Sequence, residues 1–130
     1  KFYIIYISNY GEKMKLTIYH NPRWGKSRGS VKILEDQKVD FEIINYIKKP
    51  LTISELKNIG KMLKLKPSEF IRKGEKEFAN LNLANHLEDD IHLYEAMSTN
   101  PKLIERPIIV LNKRAVIGRP PENILKLLTN

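Results

Sequence analysis

The run Tyr19-His20-Asn21-Pro22-Arg23-Trp24-Gly25-Lys26-Ser27-Arg28 has the layout of a site for a reactive thiol, with the thiol missing. A thiolate needs nearby positive charge and free backbone N–H donors, and the first turn of a helix supplies both. Leu16-Thr17-Ile18-Tyr19 reads as a short strand, Asn21-Pro22 as a turn, and Gly25-Lys26-Ser27 as the opening of a helix. Trp24 stands where the sulfur is expected, and none of the 130 residues is cysteine. Disulfides, thiolate metal sites and thiol redox carried by this chain alone are therefore excluded. The indole of Trp24 can plug the vacated space or offer an exposed ring for stacking. His20 can cap the helix, donate to a backbone carbonyl or assist chemistry, and Ser27 belongs to the helix's first turn.

Three arginines offer a second kind of chemistry: Arg72, Arg106 and Arg119. Guanidinium groups hold tetrahedral oxyanions in a forked, charge-assisted geometry that a lysine ammonium does not reproduce. Arg106 precedes one expected strand and Arg119 follows the next. Antiparallel pairing of those strands would bring both arginines to one end of the sheet, an end that could also face the loop from His20 to Lys26. The helix N-terminus there adds anion-binding donors. Plainer readings stand beside these. Arg72 can be a surface residue of a short helix, and Arg106 and Arg119 can be solvent-exposed residues of turns beside Pro107 and Pro120.

The elements that must position these groups follow in order. After strand Leu16–Tyr19, residues 27–37 read as a helix burying Val31 and Leu34, and Phe41-Glu42-Ile43-Ile44-Asn45 alternates as a second strand. This β-α-β opening predicts a parallel pair with a right-handed crossover. Thr52-Ile53-Ser54-Glu55 has the form of a capping box, and its helix runs to about Leu63. Ile53, Leu56, Ile59 and Leu63 form its apolar stripe, with Lys57, Lys61, Lys64 and Lys66 on the solvated face. Pro67–Ile71 and Ile91–Ser98 read as further helical pieces, with a polar loop or frayed turn from Asn80 to Asp90. Pro107 opens a third strand, Arg106–Leu111. Asn112-Lys113 turns the chain into the antiparallel Ala115-Val116-Ile117, and Pro120-Pro121-Glu122 starts a last helix packing Ile124, Leu125 and Leu128. The order is β-α-β, a helical insertion, then β-β-α, around a mixed four-stranded sheet.

Composition narrows the partners. Hydrophobic residues make up 42% and charged residues 29%, which suits one globular domain. No apolar run approaches the roughly 18 residues of a membrane span. The net charge of +8 and pI near 9.6 favour anionic partners. The sequence carries no zinc-finger spacing, RNA-binding aromatic signature or helix-turn-helix pattern, so no direct nucleic-acid motif is read. Residues 1–13 are expected to be a non-native or disordered extension, with translation beginning at Met14 and one domain occupying 14–130. Gly11-Glu12-Lys13 can be encoded by GGA-GAA-AAA, a purine-rich stretch like a ribosome-binding site. A genuine extra edge strand is the rival reading, and recovery of a native peptide covering Tyr6 to Lys13 by mass spectrometry would establish it.

His20-Asn21-Pro22, Arg72-Lys73, Glu105-Arg106-Pro107 and Gly118-Arg119-Pro120, in that order, resemble the motifs of the glutaredoxin-linked arsenate reductase (ArsC) family. The likeness runs from about Lys15 to Leu128. That family includes short reductase-like members and the Spx regulators. The resemblance implies a thioredoxin-like fold, a nucleophilic cysteine at the position of Trp24, and oxyanion-binding arginines at Arg72, Arg106 and Arg119. It also implies a histidine at His20 that depresses the thiol pKa and a cis proline at Pro107. Asn21, Pro22, Gly25 and Ser27 would shape the site. The family activity is reduction of arsenate to arsenite with glutathione and glutaredoxin as co-substrates; no bound cofactor or metal is implied.

Tryptophan supplies neither thiolate nor disulfide sulfur, and a Ser27 alkoxide cannot store electrons as a disulfide does. The expectation is a degenerate cytoplasmic member with little or no reductase activity that retains a pocket for arsenate, phosphate or sulfate. A regulatory protein of the Spx kind, binding RNA polymerase, is the alternative from a different class. A module that binds glutathione or another small thiol is a third.

Overall fold

The computed structural model describes residues 16–19, 32, 41–44, 46, 49–111, 113–120 and 122–128. The chain separates into two compact units. One comprises Lys1–Tyr46 with Arg106–Asn130, the other Ile47–Glu105. Of the helix expected over residues 27–37, only Lys32 is described, and it is helical and exposed. The expectations for residues 1–13 lie outside the described residues.

The first unit carries the sheet. Its strands are β1 (Leu16–Tyr19), β2 (Phe41–Ile44), β3 (Ile108–Leu111) and β4 (Arg114–Ile117), in the order β2-β1-β3-β4. β1 runs parallel to β2 with Leu16 beside Phe41, and antiparallel to β3 with Tyr19 beside Ile108. β3 is interior, and all four of its side chains are buried, which explains its unbroken Ile-Ile-Val-Leu run. The strand begins two residues later than the expected Arg106, at Ile108. Pro107 has no N–H to give the ladder, although its carbonyl accepts from the Gly118 N–H at 2.8 Å. Leu111 pairs with Arg114, which leaves a two-residue hairpin connection.

The last helix, α5 (Asn123–Leu128), also starts later than expected. Pro120 and Glu122 instead make turns whose carbonyls accept from Asn123 and Leu125. Asn123 Nδ2 ties that turn to the end of β4 by donating to the carbonyls of Ile117 (3.0 Å) and Arg119 (3.1 Å). Ile124 and Leu127 are the buried pair, three residues apart. Leu125, expected in the core, is 37% exposed because it sits about 100° around the helix from that stripe. The side chain of Leu128 lies outside the described residues.

The second unit is helical. Helix α1 (Ile53–Leu63) opens on a capping box: Thr52 Oγ1 accepts from the Glu55 N–H at 3.1 Å, and Glu55 Oε1 accepts from the Thr52 N–H at 3.3 Å. Leu56, Ile59 and Gly60 are its buried face, while Lys57 and Lys61 are exposed. α2 (Pro67–Phe70) follows, with Phe70 fully buried. A single antiparallel bridge, Ile71 with Ile104, then closes a long excursion of the chain. Within it, α4 (Asp90–Thr99) is capped by Asp89, whose Oδ1 accepts from the His92 N–H at 3.1 Å. Leu93 and Met97 are fully buried, and Ser98 Oγ donates to the Leu51 carbonyl at 2.6 Å, holding α4 beside the start of α1.

Between α2 and α4 the structure departs from expectation. Residues 76–80 form a helix, α3 (Lys76–Asn80), and part of the expected polar loop is a 3-10 turn, Leu83–His86. The cause is tertiary: Phe78 (9% exposed) and Leu83 (0%) are anchored in the core, one at a time, too sparsely to produce a readable period.

Candidate functional site

The end of the sheet where β3 begins is set by strand register. Ile108 pairs with Ile117, and the Gly118-to-Pro107 hydrogen bond extends the ladder by one step. Arg106 and Arg119 are the next residues beyond that bond on the two segments, so both lie at this end of the hairpin. Each precedes a cis peptide bond, Arg106-Pro107 and Arg119-Pro120; the sequence suggested only the first. Because Tyr19 pairs with Ile108, the chain also leaves β1 at this end. Trp24, His20, Asn21, Pro22, Gly25 and Ser27, the residues expected next, lie outside the described residues.

The two arginines differ in exposure. Arg119 is exposed, as a turn residue can be, but Arg106 is only 6% exposed, which overturns its reading as a solvent-facing turn residue. A guanidinium removed from water is costly unless charge or hydrogen bonds meet it. Burial therefore fixes Arg106 as a positioned group. One guanidinium is therefore buried and the other exposed at the same end of the hairpin.

Arg72 belongs to the helical unit and stands in a different environment. Its Nε donates to Glu75 Oε1 at 3.1 Å, and its Nη1 lies 3.8 Å from Glu105 Oε2. Its side chain is 17% exposed, with the carboxylates at 24% and 28%. The backbone here is also held: the Arg72 N–H donates to the Leu103 carbonyl at 2.6 Å, and the Glu105 N–H to the Phe70 carbonyl at 2.9 Å. Arg72 is thus an ion-paired residue next to a bridge, not a plain surface arginine of α2. One positive charge between two carboxylates is a weaker lure for an anion than an uncompensated one, so anion capture by Arg72 requires exchange of the Glu75 contact. Sequence reading assigned no role to Glu75 or Glu105. The three-residue spacing from Arg72 to Glu75 was the available signal for the first; the second depends on the fold.

Among the described residues no group of three or more His, Asp or Glu side chains could hold a metal ion, and no helix is long and apolar enough to cross a membrane.

Residues 19–127 match a family model described as the ArsC family. The chain is 40% identical over 114 residues to the Escherichia coli K12 protein named uncharacterized protein YfgD, covering 87% of this chain and 96% of that one. It is 36% identical over 116 residues to the arsenate reductase of Haemophilus influenzae, covering 88% and 100%. Among solved structures, the arsenate reductase from Vibrio cholerae superposes with a TM-score of 0.79 at 39% identity, over 82% of this chain and 92% of that one.

Proposed function

The chain belongs to the ArsC family, and from that premise we propose that it is a cytoplasmic member that keeps an oxyanion site but lacks the family's thiol step. The observation that carries this reading is the presence of a buried Arg106 and an exposed Arg119 at one end of the β3–β4 hairpin, in a chain without cysteine. The fork geometry of two guanidinium groups favours arsenate, phosphate or sulfate over a spherical anion. Arg72, in the helical unit, is an anion ligand by family resemblance alone, and its use would require exchange of the Glu75 contact. His20, Asn21, Pro22, Gly25 and Ser27 are proposed to shape the loop around that anion, with Trp24 at its wall.

Reduction of arsenate to arsenite consumes two electrons. The family's route takes them from thiols, through a cysteine adduct resolved by glutathione and glutaredoxin. An indole at position 24 has no thiolate to attack arsenic, so neither co-substrate has an adduct to act on. The proposed protein binds the anion and stops there.

Titration of arsenate, phosphate and sulfate, read by the fluorescence of the lone Trp24 and by calorimetry, tests the proposal. Saturable binding is expected, weakened at least about tenfold in Arg119→Ala and not restored by Arg119→Lys. A coupled glutathione–glutaredoxin assay should show no arsenate-dependent NADPH consumption in the natural chain, and should gain it in Trp24→Cys. Reduction by the unaltered chain would overturn the loss of the thiol step. Absence of anion binding with stable association to RNA polymerase would assign the protein to the regulatory branch instead.

A further inference from the structure

A groove of about 500 Å³ lies in the helical unit. Lys57, Lys61, Lys64 and Lys66 line it. Lys57 and Lys61 are four residues apart along one face of α1, where like charges repel, and Lys64 and Lys66 follow beyond the helix end. All four lysines are exposed, and none of them forms an ion pair with a described carboxylate. A lysine in a helix's last turn complements the macrodipole. That accounts for Lys61 but not for Lys57, more than a turn earlier, or for Lys66, beyond the helix end.

Lys64 adds a second observation. It closes α1 in the left-handed region, φ 59 and ψ 39, with the Lys64 and Leu65 N–H groups donating to the carbonyls of Lys61 and Gly60. Glycine is favoured at such a position because a Cβ is strained there. The chain keeps a lysine instead, and that lysine lines the groove.

The rest of the lining is mostly apolar. Leu65 and Ile91 contribute to it, and Ile91 is 45% exposed, an unusual setting for a large aliphatic side chain on α4. Tyr94, 6% exposed, presents its hydroxyl against Gly60. Burial, with the Asp90 charge as a smaller contributor, raises the Tyr94 pKa above its ordinary value. Asp90 is the one acidic residue lining the groove.

We propose that this groove is a docking surface for an acidic peptide segment of a partner protein, one that carries an apolar side chain among its carboxylates. The lysines receive the carboxylates, and Ile91 with Leu65 receives the apolar side chain. Asp90 opposes a uniformly anionic strand such as a nucleic-acid backbone, which also offers no aliphatic anchor.

The test uses the full chain and a fluorescein-labelled Asp-Glu-Leu-Glu-Asp peptide, followed by anisotropy. Saturable binding is expected, weakened about tenfold by the double reversal K61E/K64E and unchanged by K73E/K76E, a control pair of exposed lysines outside the groove. Ile91→Ser, and a peptide with glycine replacing leucine, should each weaken binding severalfold. Three results would overturn the proposal: no saturable binding, equal loss from both pairs of reversals, or tighter binding of a single-stranded RNA of matched charge.

Discussion

The helical unit and the sheet unit place arginine by different means. In the helical unit the contacts are mostly close in sequence: Thr52 with Glu55, Asp89 with His92, and Arg72 with Glu75, each three residues apart. A guanidinium built there acquires a carboxylate partner from its own segment. In the sheet unit β3 pairs with β1 from the other end of the chain, and Arg106 and Arg119 take their places from the ends of strands. Strand register brings these two like charges to one end of the hairpin, as antiparallel pairing of the two strands predicts. Such an arrangement is favourable when an anion sits between them, and it is the better half of the proposed site.

The largest effect that could break this contrast comes from the core. Leu93→Ala, at a fully buried position of α4, should cost about 2–5 kcal/mol in urea unfolding. Hydrogen exchange should rise first at the amides of α1 and α4; equal loss of protection in β3 would mean the two regions are not separate in stability.

A smaller effect sharpens the account of the groove. A Cβ on Gly60 would lie 2.6 Å from the Tyr94 hydroxyl and 3.3 Å from the Leu65 carbonyl. Gly60→Ala should therefore destabilise by about 1–3 kcal/mol, and adding Tyr94→Phe should recover part of that loss by removing the closer clash. No recovery in the double variant would place the strain at the Leu65 carbonyl.

The smallest effect has the opposite sign. Lys64→Gly relieves the left-handed strain and should stabilise the fold by up to ~1 kcal/mol in thermal unfolding. The same variant should bind the acidic peptide less well. A change that stabilises without weakening binding would separate the backbone turn from the docking surface.

Much of the helical unit was legible because its signals are short. The capping box at Thr52, the stripe of Leu56 and Ile59, and the helix that includes Ile91–Ser98 all follow from neighbours within one or two turns. Lys76–Asn80 and Leu83–His86 were not legible, since single anchors such as Phe78 and Leu83 acquire meaning only from the core that receives them. The same holds for the start of α5, where Asn123 reaches back to the carbonyls of Ile117 and Arg119 and the helix begins past Glu122.

The absence of thiol chemistry is determined by the sequence alone, because no fold can supply a thiol that the residues lack. Local sequence also determines the caps, the apolar β3 and the candidate guanidinium groups. Only the tertiary structure decided that Arg106 is buried while Arg119 is exposed, that Arg72 is shared between Glu75 and Glu105, and that the lysines of α1 border a groove with an exposed Ile91. Each of these depends on register or packing between separated segments, and the free energy that selects them belongs to the pairing, not to either segment by itself.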